Sequence, residues 1–362
     1  MLHGRRGCVR TRDVNREPRV LNGTEAMDLS DLTTPALVVD EAAFERNLSI
    51  MSSHRPGARL RPHVKAHKTT ELARRQHAHD HHSFTVATVR EVVGMAQAGL
   101  GEDLLLANEV LDMRRLGAVV QGGARVTVAV DSEPIARAAV TGGVREVLID
   151  VNVGLPRCGV APDRAGALAD LCRSFGLDVR GVMGYEGHLM LLDDPADRLA
   201  QTEQCMQLLL RAHDDVGGDV ISGGGTGTWT DNTWVTELQA GSYALMDTAY
   251  GAITDVPFEQ ALTVLTTVVS VSGAGWAVVD AGLKAFGMDH GKPTVLGADV
   301  WFCSDEHTVF SMQDDAPLPA VGERVRMVPA HVDPTCALHE RMHLVNSHEV
   351  VLETWPVDLR GW

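Results

Sequence analysis

RVTVAVDSEPIARAAVTGGVREVLIDVN, residues 125–152, decides the fold. Its two ends, Arg125–Val130 and Glu146–Asn152, are β-rich runs, and Glu133–Thr141 between them is an amphipathic stretch of helical length. Strand, helix and strand in that order make a βαβ unit with two parallel strands. The same alternation continues outward in both directions. Further strand candidates are Arg59–Lys65, Phe84–Val89, Asp103–Ala107, Val179–Tyr185, Asp219–Ser222 and Tyr243–Asp247. Helical stretches at Thr70–His79, Arg90–Ala98, Glu109–Val120, Pro162–Phe175 and Pro195–Val216 separate most of them, while Thr226–Glu237 offers little helix. Eight strands over roughly 200–250 residues predict a closed (β/α)8 TIM-type barrel, an α/β fold, across residues 28–250. After Gly251 the runs Thr263–Ser272, Trp276–Asp280, Glu323–Pro329 and Glu349–Pro356 are β-rich and broken by Gly, Pro and Asp. They predict a C-terminal all-β domain over residues 251–362.

At 362 residues the chain suits a large barrel plus a smaller module, and 44% hydrophobic with 22% charged residues is globular composition. A formal net charge of −16 argues against nucleic acid or an anionic membrane as partner. No apolar run approaches the roughly 18 residues of a membrane helix. The six cysteines are scattered, without a CxxC pair, and read as reduced thiols of a cytoplasmic protein. Residues 1–27 are Arg-rich and polar, without the apolar stretch of a secretory signal. They read as a disordered extension, or as an upstream start with Met27 the effective beginning.

Barrel enzymes work at the C-terminal ends of their strands. The first strand ends in Arg61-Pro62-His63-Val64-Lys65, and alternation puts Arg61, His63 and Lys65 on one face. Mutual repulsion among three such groups at the barrel mouth would favour a neutral lysine amine, the form that Schiff-base chemistry needs. Spacing alone leaves a second reading, a strand cap in solvent. Lys68 lies past the strand end and reads as a surface residue leading a helix. After the seventh strand comes Ser222-Gly223-Gly224-Gly225-Thr226-Gly227-Thr228. It falls where barrels often bind phosphate, and its glycines would let backbone N–H groups approach an anion. Without a Lys-Ser/Thr pair it is not a P-loop, and an ordinary flexible loop stays open. Arg157 follows the fifth strand and His188 the sixth, in Gly184-Tyr185-Glu186-Gly187-His188.

In the β domain, His331-Val332-Asp333 in extended chain would project an imidazole and a carboxylate to one side. That pair suits Zn²⁺ or Mn²⁺, with Mg²⁺ a further option. His339-Glu340-Arg341-Met342-His343 matches the HExxH pattern of zinc proteases. That motif works only on a helix, and its flanks argue for strand. The tract His77-Ala78-His79-Asp80-His81-His82, at a predicted helix end, reads as a solvated loop.

These motifs, with Thr34-Pro35-Ala36, Ala66-His67-Lys68, Gln239-Ala240-Gly241-Ser242-Tyr243 and Val279-Asp280-Ala281-Gly282, stand in one order from Thr34 to Pro356. In that order the chain resembles the D-threonine aldolase and D-serine dehydratase family, relatives of alanine racemase with its fold-type III barrel. The resemblance implies pyridoxal 5'-phosphate on Lys65, with His63 beside it, and Arg157 facing the cofactor's phenolic oxygen near Tyr185. It also implies a phosphate cradle of Ser222, Gly223, Gly224, Gly225, Thr226, Gly227 and Thr228, with Gln239, Gly241, Ser242 and Tyr243 alongside. His331 and Asp333 look like the metal ligands, His188 like a base, and the assembly like a homodimer. Dehydratase members tend to carry Cys where this chain has Asp333, so the resemblance favours aldol cleavage of a small D-3-hydroxy amino acid to glycine and an aldehyde. D-serine or D-3-hydroxyaspartate dehydratase is the alternative, followed by a metal-free racemase, a non-catalytic cofactor-handling protein and a zinc protease.

Overall fold

The computed structural model describes residues 27–362, together with the two-residue strands Cys8–Val9, Val20–Leu21 and Thr24–Glu25. The expected extension over residues 1–27 lies, those pairs and Met27 apart, outside the described residues. The chain divides into two compact units. One comprises Leu48–Tyr243, Ala252–Pro257 and Asp358–Trp362; the other comprises the residues up to Asn47, Ala244–Gly251 and Phe258–Val357.

In the first unit, seven parallel strands follow one another in chain order: Ser83–Val86, Asp103–Leu106, Val126–Val130, Glu146–Asp150, Asp178–Gly184, Val220–Gly223 and Glu237–Leu238. One further run, the first of the barrel in chain order, closes the ring between the two edges. Leu60 bridges Leu238, and His63 bridges Thr85, both in parallel sense. The Arg61 N–H donates to the Leu238 carbonyl at 2.9 Å, the His63 N–H to Ala240 at 3.0 Å, and the Thr85 N–H to Pro62 at 2.9 Å. Pro62 has no N–H of its own, so this run pairs as isolated bridges rather than as a regular ladder.

The stretch around Val126–Asp150 shows how the sequence builds the unit. All five residues of Val126–Val130 are buried, and burying a valine side chain is worth roughly 1.5–3 kcal/mol. Ser132 is extended before the helix Glu133–Gly142, and Pro134 fits its first turn, where no helical acceptor is lost. Ile135, Ala136 and Ala139 form the buried face, and Gly143 ends the helix at φ 79°. A Cβ on Gly117 of the Arg114–Gln121 helix would lie 1.9 Å from the Gly142 carbonyl oxygen, so the two helices touch through backbone.

Two strand expectations are corrected. The eighth strand is Glu237–Leu238, whereas Ser242–Ala244, which overlaps the start of the expected Tyr243–Asp247, is a 3-10 turn. Tyr243 is fully buried and its N–H donates to Thr226 Oγ1 at 3.0 Å, so its apolar neighbourhood reflects core packing rather than a ladder. The first strand yields to a 3-10 turn at Val64–Ala66, and Lys65 sits in that turn.

The second unit is a mixed sheet in the order Ala298–Cys303, Thr308–Met312, Trp276–Val279, Leu262–Ser272, Ala36–Asp40, Arg341–Val345 and Val351–Pro356. Arg324–Val328 pairs with Leu262–Ser272 as well. Residues 28–47, expected to open the barrel, cluster here, because Ala36–Asp40 pairs antiparallel with Leu262–Ser272 and parallel with Arg341–Val345. Leu29, Leu32, Ala36, Val38, Leu265 and Val345 form one apolar cluster of its core. A helix, Val332–Leu338, interrupts the expected all-β pattern. Its Pro334 lies in the first turn, where a missing N–H costs no helical bond. Among the described residues no helix is long and apolar enough to cross a membrane.

Candidate active site

Arg61 does not join Lys65 at the barrel mouth. Its Nε lies 2.7 Å from Glu237 Oε1 and its Nη1 3.1 Å from Asp103 Oδ1. Arg180 bonds Asp103 at 3.2 Å, and Arg125 bonds Glu146 at 2.8 Å. Asp103 and Glu146 open their strands, so this network closes the N-terminal end of the barrel. The repulsion expected from Arg61 on Lys65 is therefore answered by two carboxylates instead.

Lys65 is half-buried, and its N–H reaches Nδ1 of the buried His63 at 3.5 Å. Lys68, expected on the surface, is instead in the left-handed region at φ 51°. Its amine is tied to the fully buried Glu91, which also accepts the Ala87 N–H. The amine of Lys68 is thereby committed to an ion pair.

The glycine-rich turn is organised by Glu186, a residue whose role the sequence reading missed. This fully buried carboxylate accepts from the Gly224 N–H at 3.2 Å, Thr228 Oγ1 at 2.9 Å and Asn232 Nδ2 at 2.8 Å. Burial pushes its carboxyl up, against the pull of those donors. Gly224 and Thr228 thus spend their donors on the protein. The Gly225 N–H goes to Thr228 Oγ1 at 3.3 Å. The N–H groups of Thr226 and Gly227 meet no acceptor among the described residues. The glycines serve close packing: a Cβ on Gly227 would lie 2.0 Å from the Met190 carbonyl oxygen, and one on Gly241 would lie 2.5 Å from that of His63. The second contact sets the loop after the eighth strand against the Lys65 segment. Gln239 Nε2 donates to Ser222 Oγ at 2.8 Å, and Gln76 Nε2 to the Tyr243 hydroxyl at 3.1 Å. Ser242 is buried. Two unclaimed N–H groups in the loop after the seventh strand, with a half-buried lysine after the first, suit an anionic carbonyl cofactor such as pyridoxal phosphate.

On the same rim, the exposed Arg157 guanidinium lies 5.5 Å from the centre of the Tyr185 ring. A Cβ on Gly154 would lie 3.1 Å from Cε1 of the exposed His188, so the loops after the fifth and sixth strands meet. His188 Nε2 is 3.9 Å from Cys205 Sγ. A second omission is Asp150, which ends the fifth strand. Burial, then the adjoining Glu109 carboxyl and its hydrogen bond, push Asp150 well above the usual carboxylate range. Burial and the same glutamate push the Cys158 thiol up to about 11.

In the other unit, His331 caps the helix in extended conformation while Asp333 lies in its first turn, so the pair does not share one extended segment. The two still converge, with His331 Nε2 3.8 Å from Asp333 Oδ1. Asp289 Oδ2 lies 2.7 Å from His331 Nδ1, and His290 stacks on His331 with ring centres 4.0 Å apart. Neither Asp289 nor His290 was anticipated. Burial works against ionisation of Asp289, but the hydrogen bond and charge of His331 outweigh it and hold the carboxyl low. Asp247 accepts the Val332 N–H at 2.8 Å, and burial pushes its carboxyl up to about 6. A carboxylate fixing one imidazole nitrogen leaves the other for an ion, so this donor set fits a divalent metal. The zinc-protease pattern does not form: His339 caps the helix end, with Nε2 2.9 Å from the Ala285 carbonyl oxygen, and His343 lies in a strand.

The chain is similar to known proteins over most of its length. The model of the alanine racemase N-terminal domain matches residues 39–249, and that of the serine dehydratase domain matches residues 261–345. The chain is 36% identical to a D-threonine aldolase of Arthrobacter sp. over 92% of its length and 94% of that protein's. It is 34% identical, over the same shares, to a 3-hydroxy-D-aspartate aldolase of Paracoccus denitrificans. The crystal structure of D-threonine aldolase from Filomicrobium marinum superposes with a TM-score of 0.87 at 35% identity, covering 95% of this chain and 99% of that one. A metal-free D-threo-3-hydroxyaspartate dehydratase with a cysteine replaced by alanine superposes with a TM-score of 0.83 at 27% identity, covering 93% and 100%.

Proposed function

Since the chain belongs to the D-threonine aldolase and D-serine dehydratase family of alanine-racemase-like pyridoxal-phosphate enzymes, we propose that it cleaves D-3-hydroxy amino acids of the D-threonine type to glycine and an aldehyde. The observation that carries the reading is the His331–Asp333 pair with Asp289 behind the imidazole, an oxygen-and-nitrogen donor set for Zn²⁺, Mn²⁺ or Mg²⁺. In the proposal Lys65 holds the cofactor through its amine, and the Thr226 and Gly227 N–H groups hold its phosphate. Ser222, Gly223, Gly224, Gly225, Thr228, Gln239, Gly241, Ser242 and Tyr243 shape that turn, and Arg157 over Tyr185 faces the phenolic oxygen. When bound, pyridoxal phosphate supplies an electron sink for charge left on Cα, and the metal a Lewis acid for the 3-hydroxyl.

The chain's own residues manage position and protons. Asp289 accepts the Nδ1–H of His331 and leaves Nε2 with its lone pair for the ion. His188 accepts the proton of the 3-hydroxyl, and Lys65, beside His63, returns a proton at Cα. The active form is a homodimer in a reducing cytoplasm, and the five described cysteines, all free, support that compartment. The second reading, ammonia loss, is favoured by the serine dehydratase match over residues 261–345, which contain His331 and Asp333. Lys65 would then take the α-proton, with the hydroxyl as leaving group.

Product analysis on D-threonine and D-serine with added pyridoxal phosphate and Mn²⁺, before and after chelation, tests the proposal. Glycine and acetaldehyde from D-threonine, lost on chelation, are expected. Ammonia and a 2-oxo acid would replace the aldolase reading with the dehydratase one.

A further inference from the structure

The expected solvated loop at His77–His82 is not a loose tract. Asp80 turns the chain back at φ 71°, a conformation aspartate tolerates better than most residues. His81 tucks inside, with Nδ1 3.1 Å from the Gly57 carbonyl oxygen. His82, just ahead of the Ser83–Val86 strand, then returns over His77 in the last turn of the Thr70–Ala78 helix. Glu102, just ahead of the Asp103–Leu106 strand, completes a group of three.

The geometry points to a second divalent-metal site, held by His77 Nε2, His82 Nδ1 and the Glu102 carboxylate, with the chemistry of zinc. The two ring nitrogens lie 2.8 Å apart, His77 Nε2 is 3.1 Å from Glu102 Oε1, and His82 Nδ1 is 3.7 Å from Glu102 Oε2. A tetrahedral ion with bonds of about 2.0–2.1 Å separates its ligand atoms by roughly 3.3 Å, which these distances straddle. The His82 Nε2 lies 3.1 Å from Asp80 Oδ1. A proton held there by Asp80 fixes the tautomer in which Nδ1 presents a lone pair, the same arrangement that metal-bound histidines use. The rings stand nearly perpendicular, with centres 4.3 Å apart, so two lone pairs converge without stacking. Two imidazoles and a carboxylate, with the fourth position open to solvent, suit Zn²⁺ better than Ca²⁺ or Mg²⁺, which prefer all-oxygen shells.

His82 and Glu102 stand where barrel strands begin and His77 at the end of the helix that leads into the first of these, whereas Lys65 follows the end of a strand. The site therefore ties a helix end to two strand starts and takes no part in the reaction proposed above. Its role is structural, and its failure would leave that proposal standing.

Zinc titration of the untagged, chelator-stripped full chain by calorimetry tests it. In a His331→Ala/Asp333→Ala background, Zn²⁺ is expected to bind at one per chain and to raise the melting temperature. Adding His77→Ala and His82→Ala should abolish both effects. Asp80→Asn, which keeps all three ligands, should weaken binding about 10–100-fold. In the otherwise natural chain, His77→Ala/His82→Ala should leave turnover at saturating Mn²⁺ within about twofold, which also shows that the variant folds. Equal Zn²⁺ binding with and without His77 and His82, or no binding in the background variant, would overturn the assignment.

Discussion

Two aspartates mark opposite ends of the barrel, and their surroundings drive them in opposite directions. Asp103 opens the third strand, and burial disfavours its charge, but Arg61 and Arg180 outweigh that and hold its carboxyl low. Asp150 closes the fifth strand, and burial and the Glu109 carboxyl push it up. At the N-terminal end Arg61, Arg180, Asp103 and Glu237 each have a partner of opposite sign. At the mouth, Lys68 is paired with the buried Glu91, but Asp150 faces the Glu109 carboxyl while Arg157 and His188 stand exposed. Compensated charge is the mark of structure, and charge left in conflict is the mark of a site prepared for a ligand.

The sharpest way to break that contrast is to remove one cation from each end. Lys65→Ala is expected to abolish the cofactor's absorbance and to lower turnover about 10³-fold or more, with the melting temperature of the apoprotein little changed. Arg61→Ala should do the reverse. It leaves Glu237 buried without its partner and Asp103 without one of its cations, a loss of about 3–5 kcal/mol visible in urea unfolding, while the folded fraction still binds cofactor. A folded Arg61→Ala chain that could not bind pyridoxal phosphate would put Arg61 back at the mouth.

That reversal shows where the sequence was legible. Alternation put Arg61, His63 and Lys65 on one face, but Lys65 lies in a 3-10 turn, and four residues of strand would span roughly 13 Å, so one face reaches both ends of a barrel. The βαβ alternation was readable because each element is long enough to carry its period. The eighth strand was not, because only Glu237 and Leu238 pair, extended by the Thr236 hydroxyl bonding the Ile221 backbone at 2.9 and 3.1 Å. His331 and Asp333 were visible as neighbours in sequence. Asp289 was not, since only tertiary packing brings it 42 positions back to His331. Glu186 stood inside a recognised motif, and the one available signal was a charged residue directly after an apolar strand.

The two aspartates also predict opposite pH behaviour. Asp103 has a lowered carboxyl in the folded state, so its contribution is present above the ordinary aspartate range and is lost as pH falls through the folded value. Asp103→Asn should therefore cost stability at neutral pH, by about 1–3 kcal/mol, with a deficit that shrinks in acid. Asp150 has a raised carboxyl, so stability is lost as pH rises through its folded value. Asp150→Asn should equal the natural chain in acid and gain on it as pH rises, with a slope of at most about 1.4 kcal/mol per pH unit. Urea midpoints measured across pH 4 to about 9 would show the two difference curves running in opposite directions. Parallel curves would mean that the two ends do not differ in charge compensation.

Glu186 gives the smallest and most discriminating test, because two effects oppose each other there. Its carboxylate holds the Gly224 N–H and the Thr228 hydroxyl, so Glu186→Gln weakens the bonds that shape the turn. Each such bond to a charged group is worth about 1.5–3 kcal/mol. The same substitution removes a negative charge from beneath a proposed phosphate site, which favours the anion. The raised carboxyl already signals that this charge is poorly tolerated. Direct contacts at 2.9 and 3.2 Å outweigh the more distant repulsion, so cofactor affinity should fall about 3- to 30-fold in an absorbance titration. Tighter binding instead would show that Glu186 acts on the phosphate through charge, and that Gly224 and Thr228 hold their places without it.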